Sequence, residues 1–213
     1  MSTHSEPPPS PCDDRRLHAG GAQRVIDDTR RWLERAVIGL NLCPFAKAVQ
    51  TKSQIHYAVS DATTTQTLLQ TLEHELDQLL ALDSEHRNTT LIIVPHGFAD
   101  FLDFNDFLAV ADDLLIEMEL NGILQIASFH PQFQFADTRP DDITNATNRA
   151  PYPTLHLLRE ASVDIAVAAF PEAEQIFAQN IKTLEKLGAD GWQALGVGAT
   201  TAGIPPAPDD RRQ

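Results

Sequence analysis

The residue types that do chemistry crowd into one stretch of this 213-residue chain, between positions 123 and 160. It carries His130, Asp137, Asp141, Asp142, Asn145, Asn148, Arg149, Tyr152 and His156. An apolar run, 123–129, leads into about twenty residues without helical or strand periodicity, which inside a compact domain usually means function or disorder. Phe133, Phe135 and Tyr152 argue for order. His130, beside Pro131 at the end of the apolar run, can act as a metal ligand or a general acid/base; the plainer alternative is a hydrogen-bonded structural histidine. His156 follows Pro153-Thr154, which reads as a helix entry with Thr154 as the N-cap. A helix dipole there would favour neutral imidazole, suited to metal binding or base catalysis. The alternative is an exposed histidine beside Arg159 and Glu160.

Asp137, Asp141 and Asp142 could join His130 and His156 around a divalent metal such as Zn, Mn or Fe. The candidate metal set is His130, His156 and Asp141, with Asp142 orienting a histidine. Equally, Arg139-Pro140-Asp141-Asp142 is turn chemistry, in which Asp side chains bond their own backbone. Arg149 could grip a carboxylate or phosphate through a bidentate pair, with Asn145, Asn148 and Tyr152 as further substrate-binding groups. The asparagines could instead satisfy loop backbone. Outside this stretch, Cys43 precedes Pro44, a residue suited to the first position of a helix. Cys43 would then be an N-cap with a lowered pKa and a possible nucleophile paired with His130 or His156. Between Leu42 and Phe45, a small core residue is the other reading.

These residues need elements to hold them. Ile26, Leu33, Val37 and Leu40 recur at helical spacing over 23–38. Residues 54–59 read as a strand, and Asp61 can cap a long helix with Leu69, Leu72, Leu76, Leu79 and Leu80 inward. Residues 89–94 are β-branched and apolar, a strand buried on both faces. A helix over 101–119 turns Phe104, Phe107, Leu108, Ala111, Leu114, Leu115 and Met118 inward, and 123–129 is the third strand. Residues 163–170 favour helix, and another helix runs from Pro171 to Leu187. The expected fold is α/β: a short, mainly parallel sheet of about three strands, flanked by helices, with additional N- and C-terminal helices. Helical crossovers join parallel strands, so the carboxyl ends of all three strands share one edge. His96 and His130 end two of them, on the edge where ligands of open α/β sheets bind.

The domain spans 22–195. Residues 1–21 and 196–213, rich in Pro, Gly and polar residues, read as flexible tails. A formal charge of −14 argues against nucleic acid and anionic membranes as partners. No apolar run is long enough to span a bilayer, and the start lacks the pattern of a secretory signal. Two cysteines, Cys12 and Cys43, in unlike contexts make a disulfide an unfavoured reading, so a cytoplasmic location is expected.

Several motifs carry a family resemblance: Gly39-Leu-Asn-Leu-Cys43-Pro-Phe-Ala-Lys47, Ser128-Phe-His-Pro-Gln132, Pro140-Asp-Asp142, Thr147-Asn-Arg149 and Pro151-Tyr-Pro-Thr-Leu-His-Leu-Leu-Arg-Glu160. With Phe101-Leu-Asp-Phe-Asn-Asp-Phe-Leu108 they resemble a largely bacterial family, domain of unknown function 1415, over about residues 24–195. The resemblance implies no reaction, substrate or cofactor. Its pattern puts a glycine near position 137 and an aromatic at 146; here they are Asp137 and Ala146.

The expectation is an enzyme acting on a small polar or anionic molecule. Its acid/base or metal-binding groups would be His130 and His156, with Asp142 and Cys43 in support. The other class is a non-catalytic module whose ordered loop binds a small ligand or a protein.

Overall fold

The structure is a computed structural model that describes residues 11–170 and 172–200. The first helix, α1 (Pro11–Trp32), begins earlier than its periodicity predicts. It continues into a π-helical turn, Leu33–Ile38, that buries Leu33, Ala36 and Val37. A short helix, α2 (Ala46–Thr51), follows, with Phe45 rather than Cys43 at its N-cap position. Cys43 is therefore no helix cap, and the dipole argument for its reactivity lapses.

The sheet has four strands: β1 (Ile55–Val59), β2 (Thr89–Ile93), β3 (Leu124–Phe129) and β4 (Thr154–Arg159). Their order is β1-β2-β4-β3. β1 pairs parallel with β2, whereas β4 pairs antiparallel with both β2 and β3. The sheet is mixed, with four strands instead of three. The additional strand is the segment expected to be a helix after Thr154. Leu155 and Leu157 alternate into one face, and β4 fills the slot between β2 and β3 with a partner on each side. Because β4 opposes both neighbours, β1, β2 and β3 still point the same way. Their carboxyl ends share one edge, as the crossover argument requires.

One face is covered by α3 (Thr65–Ala81) and α4 (Phe101–Glu117). Leu68, Leu72, Leu76 and Leu79 of α3 meet Phe104, Phe107 and Ala111 of α4 over Ile92, Leu155 and Leu157. Each such Leu or Phe contributes about 1.5–3 kcal/mol when fully buried. Thr64, not Asp61, caps α3. It accepts from the Thr67 amide at 3.3 Å while the Thr67 hydroxyl accepts from the Thr64 amide at 3.2 Å. On this side the buried Glu75 carboxylate pairs with Arg87.

The opposite face carries Tyr57, Leu91, Ile93 and Phe129, packed by Val25 and Trp32 of α1. Residues 196–200, which composition assigns to a tail, lie against α1 together with Leu195. Arg35 donates to the Leu195 carbonyl at 2.9 Å, Arg31 to that of Gly196 at 3.0 Å, and Val197 is buried. After β4 come α5 (Glu160–Ala168), a 3-10 turn (Ala173–Gln175) and α6 (Ile176–Ala194). The helix expected over 163–170 is there, starting three residues sooner. Residues 1–10 and 201–213 lie outside the described part.

Candidate functional site

The long loop leaves β3 and returns to β4 at the carboxyl edge. Its neck is stitched by backbone and amide together: the His130 amide donates to the Asn148 carbonyl at 3.1 Å, and Asn148 Nδ2 to the Ser128 carbonyl at 3.2 Å. A 3-10 helix, Ile143–Asn148, forms its middle, and Asp142 is that helix's N-cap. Asp142 Oδ1 accepts from the Thr144 amide at 2.9 Å and from its hydroxyl at 2.7 Å. These bonds hold the carboxyl below its usual pKa. Turn and cap chemistry accounts for Asp142 in full.

Asn145 is completely buried and organises the loop's outer half. Its Oδ1 accepts from the Phe135 amide at 3.0 Å and the Thr138 hydroxyl at 2.8 Å, and its Nδ2 donates to the Arg139 carbonyl at 2.9 Å. Arg149 donates to two loop carbonyls, Phe133 at 3.2 Å and Pro140 at 2.6 Å. Asp141 is exposed and pairs with Arg139 at 3.0 Å. Asp137 has φ 62°, the left-handed region that favours glycine.

His130 is fully buried at the loop's entrance, its ring stacked on Phe104 and tilted against Phe101, each with centroids 5.4 Å away. Nδ1 accepts from the Gln132 amide at 3.0 Å. Nε2 therefore carries the proton and donates to the Phe98 carbonyl at 2.9 Å. Burial lowers the pKa, so the ring is neutral and both nitrogens are committed to backbone. Phe98 itself has φ 55°, so His130 clamps a strained residue of the loop after β2.

His156 sits on the other face. Leu155 and Leu157 point toward α3 and α4, so the residue between them points toward α1. Its ring lies 6.1 Å from Phe129, which in turn meets Trp32 edge-on at 5.1 Å. Burial pushes its pKa down to about 4. The helix dipole plays no part, because the residue is on a strand. Among the described residues its ring makes no hydrogen bond, and no side-chain nitrogen or oxygen shut off from solvent lacks a partner. Neither ring nitrogen is therefore wholly shut off from solvent.

Cys43 is half-buried in the cluster of Trp32, Val37 and Phe129, and among the described residues no hydrogen bond joins it to a histidine. The expected constellation is dispersed. His130 and His156 lie on opposite faces, Asp141 faces outward, and no group of three or more His, Cys, Asp or Glu among the described residues is placed to hold a metal. The set His130, His156 and Asp141 does not fit a divalent ion.

Tyr152 has a different partner from the one expected. Its hydroxyl donates to Asp28 Oδ2 at 2.7 Å. Asp28, buried in α1, also accepts from the Thr200 amide at 2.8 Å, the Thr200 hydroxyl at 2.6 Å and Arg31. Burial pushes the Asp28 carboxyl up, but bonds from Thr200, Tyr152 and Arg31 outweigh it and leave the pKa lowered. Tyr152, buried beside that carboxylate, is raised. Asp28 was legible as an anomaly: it falls between Val25 and Trp32 on the inward stripe of α1, where a polar residue needs a partner.

The fold and this geometry can be set beside known proteins. The chain matches the family described as "Protein of unknown function (DUF1415)" over residues 24–194. It belongs to that family. The match takes in all four strands, the loop and α6. No curated protein and no solved structure matches the chain. Among the described residues no helix is long and apolar enough to cross a membrane.

Proposed function

We propose that the protein is a non-catalytic binding module whose ordered loop is the interaction surface. The observation that carries this reading is the commitment of the loop's chemical groups to the loop itself. His130 bonds backbone through both ring nitrogens, Asn145 bonds loop backbone and the Thr138 hydroxyl, and Arg149 donates to two loop carbonyls, as a scaffold requires and a catalyst does not. Beside its exposed polar residues the loop holds part of a row of aromatic rings, partly exposed, that runs from α4 to α6. Phe101, Phe133 and Phe135 follow ring to ring at 5.2 and 4.9 Å, and Phe135 meets Phe177 of α6 at 6.0 Å, itself 57% exposed. Aromatic side chains on a rigid support are the groups that anchor ligands and partners.

A second reading rests on His156, a neutral imidazole beside Phe129 whose nitrogens have no hydrogen-bond partner among the described residues. Such a group can serve as a base toward a small molecule.

A thermal-shift screen of small polar molecules and short peptides separates the two readings. Wild type is compared with Phe177→Ser and His156→Ala. A ligand response lost in Phe177→Ser and kept in His156→Ala supports the module. The converse moves the function to His156 and overturns the lead reading.

A further inference from the structure

A groove of about 530 Å³ opens at the carboxyl edge, between the start of α3 and the first three turns of α4. Its walls are Thr63–Thr65 on one side and Phe98 on the other. They are fixed against each other by Gly97, where a Cβ would lie 2.5 Å from the Ala62 carbonyl oxygen. Backbone meets backbone there, which only glycine permits. Phe98 is held in its left-handed conformation by the bond from His130. The groove is thus a built feature. Phe98, Phe107 and Val110 give it an apolar floor, and Asp103 and Asp106 stand at its rim.

The charge of the groove follows from what surrounds it. Both helix starts are capped by their own side chains, Thr64 on the Thr67 amide and Asp100 on the amides of Leu102 and Asp103, and the Asp100 carboxylate disfavours an anion at the start of α4. The Asp103 and Asp106 carboxylates are exposed and, among the described residues, make no ion pair or hydrogen bond. Between residues 61 and 119 the chain carries thirteen Asp and Glu and a single basic residue, Arg87. Arg87 is buried with Glu75, and the other twelve acids are exposed. Near the end of α3, Asp83 has His86 and Arg159 beside it, whereas among the described residues Asp103 and Asp106 have no cation paired with them.

We propose that the groove docks a lysine- or arginine-bearing segment of a basic protein partner. The aliphatic stem of such a side chain lies along Phe98, Phe107 and Val110, and its cationic end reaches Asp103 and Asp106. The remaining carboxylates of α3 and α4 raise the encounter rate and exclude acidic segments. This goes beyond the aromatic surface proposed above and uses none of its residues.

Fluorescence anisotropy of the full chain with a labelled nonapeptide of alternating lysine and alanine tests it, at about 150 mM salt so that diffuse attraction is screened. Three variants accompany wild type: D103N/D106N; E73Q/D77N, which removes two exposed charges of α3 outside the groove; and Val110→Trp, which fills the groove with its charge intact. Thermal melts verify that each is folded. The proposal expects wild type to bind, D103N/D106N and Val110→Trp each to weaken binding about tenfold or more, and E73Q/D77N to stay within about twofold. Equal weakening in the two charge variants, or full binding by Val110→Trp, would reduce the effect to the acidic surface as a whole and overturn the proposal. Absence of binding by wild type would overturn it as well.

Discussion

Tyr152 and Asp28, 124 residues apart in sequence, share a buried hydrogen bond of 2.7 Å. It ties the returning end of the loop to α1, and through Thr200 to the C-terminal segment. Tyr152→Phe removes one donor from a carboxylate that retains three others, and is expected to lose about 1.5–2 kcal/mol. Asp28→Ala leaves the Tyr152 hydroxyl, the Thr200 amide and Arg31 without their acceptor, and is expected to lose about 3–4 kcal/mol. Urea denaturation measures both. A Tyr152→Phe loss below about 0.5 kcal/mol would mean that the phenol bond adds nothing beyond what water supplies.

His130→Ala is expected to be a stability mutation. It empties a site stacked by Phe101 and Phe104 and orphans the Phe98 carbonyl and the Gln132 amide. The expected loss is about 3–4 kcal/mol. Hydrogen exchange should quicken in residues 97–98 and 130–135 together. An unchanged melting temperature would return His130 to the catalytic candidates.

Stability should fall with acid in a defined window. The folded pKa of His156 is about 4, against about 6.5 when unfolded. Below pH 6.5 the unfolded chain binds the proton first, so this contribution declines from pH 6.5 down to about pH 4. His130 and His56, both also lowered chiefly by burial, act in the same direction. The His156 share is about 2 kcal/mol once its partial exposure is allowed for. Denaturation at pH 7 and pH 5 should show His156→Leu losing less stability over that interval than wild type. Below pH 4 the lowered Asp28 adds a further loss as it gains its proton. Parallel pH profiles for His156→Leu and wild type would contradict the shift.

Asp137→Gly is expected to stabilise. The backbone at φ 62° strains a residue with a Cβ, and the side chain is exposed. Relief of the strain, less the greater unfolded freedom of glycine, leaves about 0.5–1 kcal/mol. The check is a rise in melting temperature; a fall would mean that Asp137 makes a favourable local bond worth more than the strain.

Legibility in the sequence followed the strength of local pattern. The five residues of β2 are buried on both faces, as a continuous apolar run requires, and α4 turns in Phe104, Phe107, Ala111, Leu114 and Leu115 as its spacing predicts. The shared edge of β1, β2 and β3 was also readable, since two helical crossovers fix their direction. β4 was not. Pro153-Thr154 is a good helix entry, and Leu155 and Leu158 have helical spacing, so local signals outweighed the alternation of Leu155 and Leu157. What settles the segment is non-local: it bonds to two strands that bracket it. The same limit applies to the candidate site. Residue types single out His130, Asn145 and Arg149, but whether a polar atom meets a ligand or a carbonyl ten residues away is a property of the folded loop. Asp28 and Tyr152 illustrate the distance over which such partners lie.

The place of β4 in the sheet has a consequence for biosynthesis. β2 and β3 are complete by residue 129, yet each lacks its shared neighbour until residues 154–159 have been made. A chain emerging from the ribosome therefore carries β3 as an unpaired strand, beside a slot one strand wide, while the whole loop is synthesised. A strand in that state is a template for another chain. The loop's own bonds, from Asn145 to Phe135 and from Arg149 to Phe133, can form before β4 arrives, and shorten the span that must close. The loop in this view is a device for delivering the last strand promptly to the centre of the sheet.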